Sequence, residues 1–375
     1  MKVLQFIPSL GKGGAERMFV DLANKLVTSG CNVEVLLAFQ TPAELNQSRL
    51  NIDIPVSVMG TSSKSRLMRY FAIARWVIMN KEKLKQFDVI HMHLNDGLVL
   101  GLITKVVFFL IKRNERPRLV FTCHMVGMAV PKVSVAINAL GIFIFDQFVL
   151  MAINDFWKSR IGEKRFSNVC VISNGIDFND TQGISGIPVE LSAKKSCLQI
   201  GSLSRLEPER RPNLFIDLFS IIHCSPIMGS CRFILGGDGS MKFSVQELAN
   251  SYNLSKFIDF RGLIINSTNF LKDIDIYISL NIGNQSGIAA LEAVFQGVPV
   301  IGIQLDEKYS VQESDFIWSS SDLSAVAEKV IQLHQNIGLL NQVRSRQHTI
   351  AREKYTAQVM AQNYLETYNT LVDAT

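Results

Sequence analysis

Residues 284–300 read Asn-Gln-Ser-Gly-Ile-Ala-Ala-Leu-Glu-Ala-Val-Phe-Gln-Gly-Val-Pro-Val. A polar turn leads through Gly287 into an apolar helix that ends at Gly297, and Pro299 then opens a short apolar strand. The start of a helix offers free N–H groups to an anion, and glycine lets the backbone approach a ligand closely. A carboxylate on an apolar helix, such as Glu292, needs hydroxyl groups or other partners beside it. The pattern suits a nucleotide sugar, with its pyrophosphate and hexose at the helix start and its ribose hydroxyls on Glu292.

The rest of the chain alternates apolar strands with amphipathic helices. This alternation predicts an α/β protein with parallel sheets and helices on both faces. The chain has 375 residues, which fits two domains of about 150–200 residues each. We predict an N-terminal Rossmann-like, doubly wound domain over 1–180 and a linker over 181–195. A C-terminal Rossmann-like domain follows over 196–355, and a final helix over 356–375 packs back on the N-terminal domain.

Composition indicates a folded, rather apolar protein, with 47% hydrophobic and 19% charged residues and a net charge of +5. The six cysteines include no CxxC pair, which is typical of buried thiols in a reducing compartment. The chain starts directly in an apolar strand, without signal-peptide features, which predicts a cytoplasmic protein. Apolar segments 97–111 and 133–153 are interrupted by polar residues. They are predicted to be buried helices, with a membrane-facing surface as the alternative.

The stretch 284–300 resembles the C-terminal signature of the retaining glycosyltransferases of family 4, which have the GT-B fold. That signature contains two glutamates separated by seven residues, followed by Ala and then Gly-x-Pro-Val. Glu292 matches the second glutamate, while Asn284 stands at the position of the first. We expect an active enzyme that holds its donor sugar differently, through Asn284 and the backbone N–H groups of Ser286, Gly287 and Ile288.

Near the N-terminus, Gly11-Lys12-Gly13-Gly14-Ala15-Glu16 resembles the family's Gly-Gly-Ala-Glu loop. The resemblance implies that Gly13 and Gly14 leave room for a diphosphate or an acceptor at a helix start. By itself the loop also fits a plain tight turn. It lacks the Gly-Lys-[Ser/Thr] ending of a phosphate-binding loop and the GxGxxG of a dinucleotide site.

The stretch 200–214 resembles the family's Gly-Arg-Leu…Pro-Glu-Lys-Gly loop. Arg205 and Arg210 fall on its Arg and Lys, and Arg211 replaces its Gly. Two cations five residues apart can reach both phosphates of a nucleotide diphosphate and neutralise the leaving group. A solvated charge run is the alternative. Further along, the resemblance implies nucleotide contacts at Gly237 and a base-edge contact at Arg261, which could equally be a surface arginine.

Three histidines stand at the ends of neighbouring predicted strands: His91, His93 and His124. Ligands of open α/β sheets bind at such ends. The resemblance implies that His124 contacts the donor hexose or the reaction centre and that His93 belongs to the same site. Hydrogen-bonded structural histidines are the alternative. No further metal ligand has suitable spacing and no DxD pair occurs, so we expect neither a metal nor another cofactor.

Residues 64–85 carry seven lysines and arginines and one acidic residue, interleaved with apolar side chains. This pattern predicts a basic amphipathic helix that docks on the anionic inner face of the cell membrane, or an ordinary surface helix. No nucleic-acid-binding motif accompanies the charge.

Taken together, the residues and the resemblance predict a retaining GT-B glycosyltransferase, with the acceptor on the N-terminal domain, the donor on the C-terminal domain and the reaction in the cleft that they face. The donor is a nucleotide-diphosphate sugar, with UDP favoured and a hexose or N-acetylhexosamine transferred. The expected acceptor is a lipid-linked oligosaccharide of O-antigen or capsule biosynthesis. The alternatives are a nucleotide-sugar epimerase of GT-B fold and a non-catalytic nucleotide-sugar-binding homologue.

Overall fold

Two compact α/β units make up the chain. The computed structural model describes residues 1–11, 13–39, 46–60, 65–109, 115–124, 141–151, 167–177, 197–225, 231–281, 287–305, 311–313 and 317–374. The first unit comprises residues 1–126, 130–177 and 356–375, and the second comprises 127–129 and 178–355. The last helix of the chain therefore belongs to the same unit as the first strand.

A seven-stranded parallel sheet forms the centre of the first unit. Its strands are β1 Lys2–Ile7, β2 Asn32–Leu37, β3 Val56–Val58, β4 Val89–His93, β5 Arg118–Cys123, β6 Gln147–Leu150 and β7 Val169–Val171. They lie in the order β3-β2-β1-β4-β5-β6-β7, so the strand order reverses between β1 and β4. Ligands of open parallel sheets bind outside the carboxyl ends of the strands at such a reversal.

A second seven-stranded sheet forms the centre of the second unit. Its strands are β8 Leu198–Leu203, β9 Cys231–Gly236, β10 Ile258–Gly262, β11 Ile276–Asn281, β12 Val300–Gln304, β13 Val311–Glu313 and β14 Trp318–Ser320. Their order is β10-β9-β8-β11-β12-β14-β13, and β13 pairs with β14 in the antiparallel direction. Here the strand order reverses between β8 and β11.

Helices flank both sheets. Those in the first half of the chain are α1 Gly14–Thr28, α2 Arg66–Met79, α3 Lys81–Leu84 and α4 Leu94–Val107. Those of the second half are α5 Asn213–His223, α6 Lys242–Ser251, α7 Ser267–Leu271, α8 Ile288–Phe295, α9 Leu323–Gln335, α10 Ile337–Lys354 and α11 Ala357–Asp373. On one face of the first sheet, α2 and α4 pack together around Leu4, Phe6 and Met92. On the other face, α1 packs against α11.

Two predicted elements differ from those observed. The helix predicted over 66–85 is interrupted at Asn80, whose side-chain amide donates to the carbonyl of Trp76 and so competes with the helical pattern. The helix predicted over 133–153 is wrong in its C-terminal part, because 147–150 form β6, a buried strand between β5 and β7. A short apolar run is compatible with a buried strand as well as with a helix, and periodicity does not separate the two.

The predicted linker, 181–195, lies outside the described residues. Within the described ranges, no helix has both the length and the apolar character required to cross a membrane.

Candidate functional site

The predicted donor-site residues of the second unit follow β8 and β11, where the strand order reverses. Residues 204–212 follow β8, and the segment before α8 follows β11. Of that segment, Asn284 and Ser286 lie outside the described residues. Gly287 caps α8 with φ −69° and ψ 162°, and a Cβ added to it would meet no atom of the residues that the structure describes. The fold therefore leaves open space at Gly287, where we predict close approach of a ligand.

Tyr277 of β11 forms hydrogen bonds to β8, the neighbouring strand at the place where the strand order reverses. Beyond Tyr277 and Gly201, β11 and β8 no longer pair, and the tyrosine spans the gap. Its hydroxyl donates to the carbonyl oxygen of Leu203 at 2.9 Å and accepts from the N–H of Leu203 at 3.2 Å. The Tyr277 ring is buried, so the last residue of β8 is held by a fixed side chain, directly before the loop that carries the two predicted cations.

The same hydroxyl lies within the electrostatic reach of two predicted site residues. Burial raises the pKa of Tyr277, the charge of Glu292 raises it further, and the charge of Arg210 lowers it. The charges of Arg210 and Glu292, which are 82 positions apart in sequence, thus both act on the pKa of this buried tyrosine. Glu292 itself is partly exposed on α8. Tyr277 was not predicted from the sequence; the available signal was a hydroxyl-bearing ring between two isoleucines of the strand.

The two arginines of the loop after β8 differ in environment. Arg205 is exposed and pairs with Glu209 at 3.3 Å. Arg210 ends a short 3₁₀ turn, and burial, followed by the charge of Arg205, lowers the pKa of its guanidinium. Two like charges in this position repel each other, and an anion between them would remove the repulsion.

The next residue, Arg211, adopts the left-handed conformation with φ 46°. In the family's loop this position is a glycine, which takes that conformation without a steric penalty, whereas other residues pay about 1–2 kcal/mol. The backbone shape implied by the resemblance is therefore kept here despite the arginine.

Gly237 and Arg261 have contacts within the protein. Gly237 has φ +132°, and a Cβ there would collide with the carbonyl oxygen of Ser204, so the glycine lets two loops of the unit touch. The guanidinium of Arg261 donates to Asp259 at 2.8 Å and Asp273 at 2.6 Å, and these hydrogen bonds raise its pKa. The base contact predicted for Arg261 remains a prediction, and its guanidinium is engaged by two carboxylates.

In the first unit, Gly13 and Gly14 lie at the start of α1, directly after β1. Gly13 is the N-cap, and its carbonyl oxygen accepts from the N–H of Arg17. A Cβ at Gly13 would meet the carboxylate of Glu16, which is the end of a flexible side chain and can move aside, so packing alone does not require a glycine here. Both readings of this loop, a turn and a ligand site, stay compatible with that geometry.

The three histidines of the first unit lie together. His91 and His93 are buried in β4, with ring centroids 4.1 Å apart, and His124 directly follows β5. Nδ1 of His93 lies 2.9 Å from Nε2 of His124. Nε2 of His93 is buried and has no hydrogen-bond partner within the described part of the chain. The histidine site predicted from sequence is therefore a contacting pair, His93 and His124, with the ring of His91 tilted by 41° against that of His93.

Burial keeps this cluster uncharged near neutral pH. It lowers the pKa of His91 and His93 well below the usual 6.5, with a smaller contribution from neighbouring imidazoles. Burial likewise lowers the pKa of His124 to about 4. Neutral imidazoles present one donor and one acceptor nitrogen each, which suits hydrogen bonding to sugar hydroxyls. Across the described ranges, no group of three or more His, Cys, Asp or Glu residues is placed to hold a metal ion. That no metal takes part stays a prediction.

Each half of the chain matches the sequence profile of a known protein family. Residues 12–180 match the sequence profile described as Glycosyltransferase Family 4, and residues 195–336 match that described as Glycosyl transferases group 1. A poly(ribitol-phosphate) alpha-N-acetylglucosaminyltransferase of Staphylococcus aureus is 24% identical over 45% of this chain, which spans 35% of that protein. The O-antigen biosynthesis glycosyltransferase WclY of Escherichia coli is 21% identical over 78% of this chain and 81% of its own length.

The fold is shared with solved glycosyltransferase structures. Anabaena Alr3699/HepE in complex with UDP-glucose matches with a TM-score of 0.73 at 18% identity, covering 99% of this chain and 100% of that one. The predicted α/β architecture of GT-B type is confirmed by this likeness and by the two sheets. The two profiles therefore identify the chain as a glycosyltransferase of GT-B fold that carries a Glycosyltransferase Family 4 domain in its first half and a Glycosyl transferases group 1 domain in its second.

Proposed function

We propose that the protein transfers a hexose or N-acetylhexosamine, with retention of configuration, from a UDP-sugar to a hydroxyl group of a lipid-linked oligosaccharide in O-antigen or capsule biosynthesis. The observation that carries the proposal is the place of the loop with Arg205 and Arg210 and of the start of α8, which follow β8 and β11, the two strands between which the second sheet reverses its order. Support for the donor comes from the UDP-glucose complex of HepE. Support for the pathway comes from the relatives that act in O-antigen and poly(ribitol-phosphate) glycosylation.

In this proposal the second unit binds the donor and the first unit the acceptor. Glu292 accepts hydrogen bonds from the ribose, and the start of α8 donates its free N–H groups to the sugar diphosphate. Arg205 and Arg210 stabilise the negative charge that grows on the departing diphosphate as the glycosidic bond breaks. The neutral pair His93 and His124 hydrogen-bonds to the reacting sugar. No metal or other cofactor has a step in this scheme.

The proposed lipid-linked acceptor and inner-membrane location draw on an exposed apolar surface of the first unit. Eight large apolar side chains on α2, on α4 and directly after α4 are between 48% and 79% exposed. We call them the α2–α4 surface: Leu67, Met68, Phe71, Ile78, Met79, Leu102, Val106 and Phe109. Monomeric soluble proteins rarely expose so many apolar groups on neighbouring helices, and a membrane interface is one place where such a surface is buried.

Several positive charges of 64–85, which were expected to attract the helix to an anionic membrane, are paired with carboxylates of the protein itself. Arg69, counted among the basic residues of 64–85, pairs with Asp96 at 2.8 Å, and both side chains are nearly buried. Lys83 and Lys85 pair with Glu34 and Glu82. Membrane docking in this proposal therefore rests more on apolar insertion than on the positive charge of the helix.

Incubation with a panel of nucleotide sugars tests the proposal. A transferase hydrolyses its own donor slowly and transfers faster when a lipid-linked oligosaccharide is added. Turnover of a nucleotide sugar to its epimer without an acceptor would identify an epimerase instead. Binding of a nucleotide sugar without turnover, together with a clear rate in Asn284→Glu, would identify a non-catalytic homologue.

A further inference from the structure

The last helix of the chain contributes two buried tyrosines to the histidine cluster. Tyr364 and Tyr368 of α11 are fully buried, and both rings lie against His91, with centroids 5.0 Å and 5.8 Å away. This helix follows the second unit in sequence but packs in the first. At its start, the N–H of Ala357 donates to the carbonyl of Ile176 at 2.8 Å, which fixes α11 on the end of the first half of the chain.

A continuous hydrogen-bond chain joins the tyrosines to the strand ends. The Tyr368 hydroxyl lies 2.6 Å from Nδ1 of His91, and Nε2 of His91 lies 2.7 Å from the hydroxyl of Thr122. The Thr122 hydroxyl lies 2.8 Å from that of Tyr364. The chain thus runs from α11 through β4 and β5 and back to α11, and all four residues are buried.

This chain lies directly behind the pair that is proposed to contact sugar. His93 is two residues after His91 on the same face of β4, and the two rings are in contact, with centroids 4.1 Å apart and planes tilted by 41°. His124 is two residues after Thr122 in the chain and hydrogen-bonds to His93. A neutral His91 has one donor and one acceptor nitrogen, so the hydroxyls around it determine which nitrogen carries the proton and how the ring lies.

Simple packing does not require these hydroxyls. Phenylalanine at 364 and 368 would bury nearly the same ring area without the desolvation penalty of a phenol. Buried polar networks that are fully satisfied, such as this one, fix one arrangement of their members. The two hydroxyls therefore specify the orientation of the groups in front of them.

We propose that Tyr364 and Tyr368 are positioning residues of the transfer reaction, which hold His91 and Thr122 so that the His93–His124 pair keeps one tautomer and orientation. The inference rests on the proposed function only in assigning a reaction to that pair. The last helix would then be part of the machinery of the first unit, and its removal would disturb the histidines as well as the packing.

Tyr368→Phe and Tyr364→Phe test this inference, with Tyr252→Phe as the matched control. Tyr252 also donates a hydroxyl hydrogen bond, to Asp217 at 3.1 Å, but it lies in the second unit. We expect kcat to fall about tenfold in Tyr368→Phe and Tyr364→Phe, with the donor KM unchanged within about twofold, and the control to match wild type.

The second measurement does not need activity. The chain has six histidines, so two-bond ¹H–¹⁵N spectra can report the tautomer of each imidazole. We expect the His93 and His124 signals to shift in both α11 variants and to stay unchanged in the control. Unchanged imidazole signals would overturn the inference, whether or not melting temperature or kcat falls. A wild-type protein inactive on every sugar nucleotide would overturn the proposed function, while the spectra would still test the positioning of the pair.

Discussion

Single side chains in this protein are distinguished by their surroundings more than by their type. Arg205, Arg210 and Arg261 all stand at positions that the sequence associates with the nucleotide. Arg261 is engaged by two aspartates, Arg205 is exposed beside Glu209, and Arg210 is half-buried, which lowers the pKa of its guanidinium. A desolvated cation interacts more strongly with a phosphate than an exposed one, because solvent screens the exposed charge. We therefore expect the three arginines to differ in importance.

The clearest consequence concerns the two arginines of the loop after β8. Arg210→Ala should lower kcat by about 100-fold, whereas Arg205→Ala should lower it by about tenfold or less, because Arg205 is solvated and shared with Glu209. Both should affect kcat more than donor binding, since charge on the leaving group peaks in the transition state. Steady-state kinetics with the donor varied measures both effects. An effect confined to KM would mean that the arginines only bind the ground state.

The second prediction concerns the affinity for the donor when the charge of Glu292 is removed. Glu292→Gln keeps the shape of the side chain and removes its charge. A charged hydrogen-bond acceptor contributes about 1.5–3 kcal/mol, so the affinity for the donor should fall at least about tenfold. Titration calorimetry with the nucleotide sugar measures the change. If the affinity stays the same, Glu292 has no place in the donor site.

Gly287 offers a test of close approach that leaves the fold intact. Its φ of −69° is open to any residue, and a Cβ would meet no atom of the described residues, so Gly287→Ala should change stability by less than about 1 kcal/mol. Donor binding should nevertheless weaken about tenfold if the diphosphate touches this backbone. Thermal melting with and without donor separates the two effects. Unchanged donor binding would place the diphosphate elsewhere.

Two helices of the first unit, α2 and α11, differ in the side chains that they place on the surface and in the core. One face of α2 packs into the core through Ile73 and Val77, while another exposes apolar side chains that form most of the α2–α4 surface. On the opposite side of the sheet, α11 delivers polar groups to buried strand ends. The sequence pattern of α2 alone indicates a basic amphipathic helix. The partner of Arg69 was not readable from it, since Asp96 lies on a different helix.

The prediction of membrane binding can be tested on the α2–α4 surface. Phe71→Ser with Val106→Ser should weaken binding to vesicles that contain anionic lipid by more than tenfold, because burial of each large apolar side chain contributes about 1.5–3 kcal/mol. Phe243→Ser on α6 is the matched control, since Phe243 is 75% exposed but lies in the second unit. Co-sedimentation at two salt concentrations measures binding and its electrostatic part. Equal binding of the control and the double variant would contradict the docking surface.

The molecule as a whole should lose stability in acid. Folding lowers the pKa of three histidines, His91, His93 and His124. Below pH 6.5 the unfolded chain therefore binds protons at these side chains that the folded chain does not bind. Stability from these groups is present above pH 6.5 and is lost as the pH falls toward 4. Asp21 opposes the trend, because burial raises its pKa to about 6 and the folded chain keeps a proton that the unfolded chain releases.

For these four groups the balance near pH 5 is three protons minus one, so their contribution to the stability falls by roughly 3 kcal/mol per pH unit as the pH is lowered. Urea unfolding at pH 7 and pH 5 measures it. Asp21→Asn removes the opposing contribution, so its stability should fall more steeply than that of wild type over the same range. A stability that is constant or rises toward pH 5 would show that the histidines are not buried in neutral form.

Local patterns in the sequence were enough for the α/β class, most of the strands and the positions of the donor-site loops. The alternation of apolar strands and amphipathic helices is a local property, and glycines, prolines and helix ends can be read without a partner. Helix α5 and strand β5 have the bounds that their own residues predict. Arg205, Arg210 and Glu292 were recognised through motifs for the same reason, and their roles stay predictions.

Contacts between distant residues required the tertiary structure. Whether 147–150 form a strand depends on the pairing of β5 and β7 on either side, which no local pattern contains. The hydroxyl of Tyr277 acquires its significance from Leu203, and those of Tyr364 and Tyr368 from Thr122 and His91. Burial, pKa and hydrogen-bond partners are properties of the folded surroundings. The sequence therefore specifies the residues available for chemistry, and packing determines which of them are desolvated and joined.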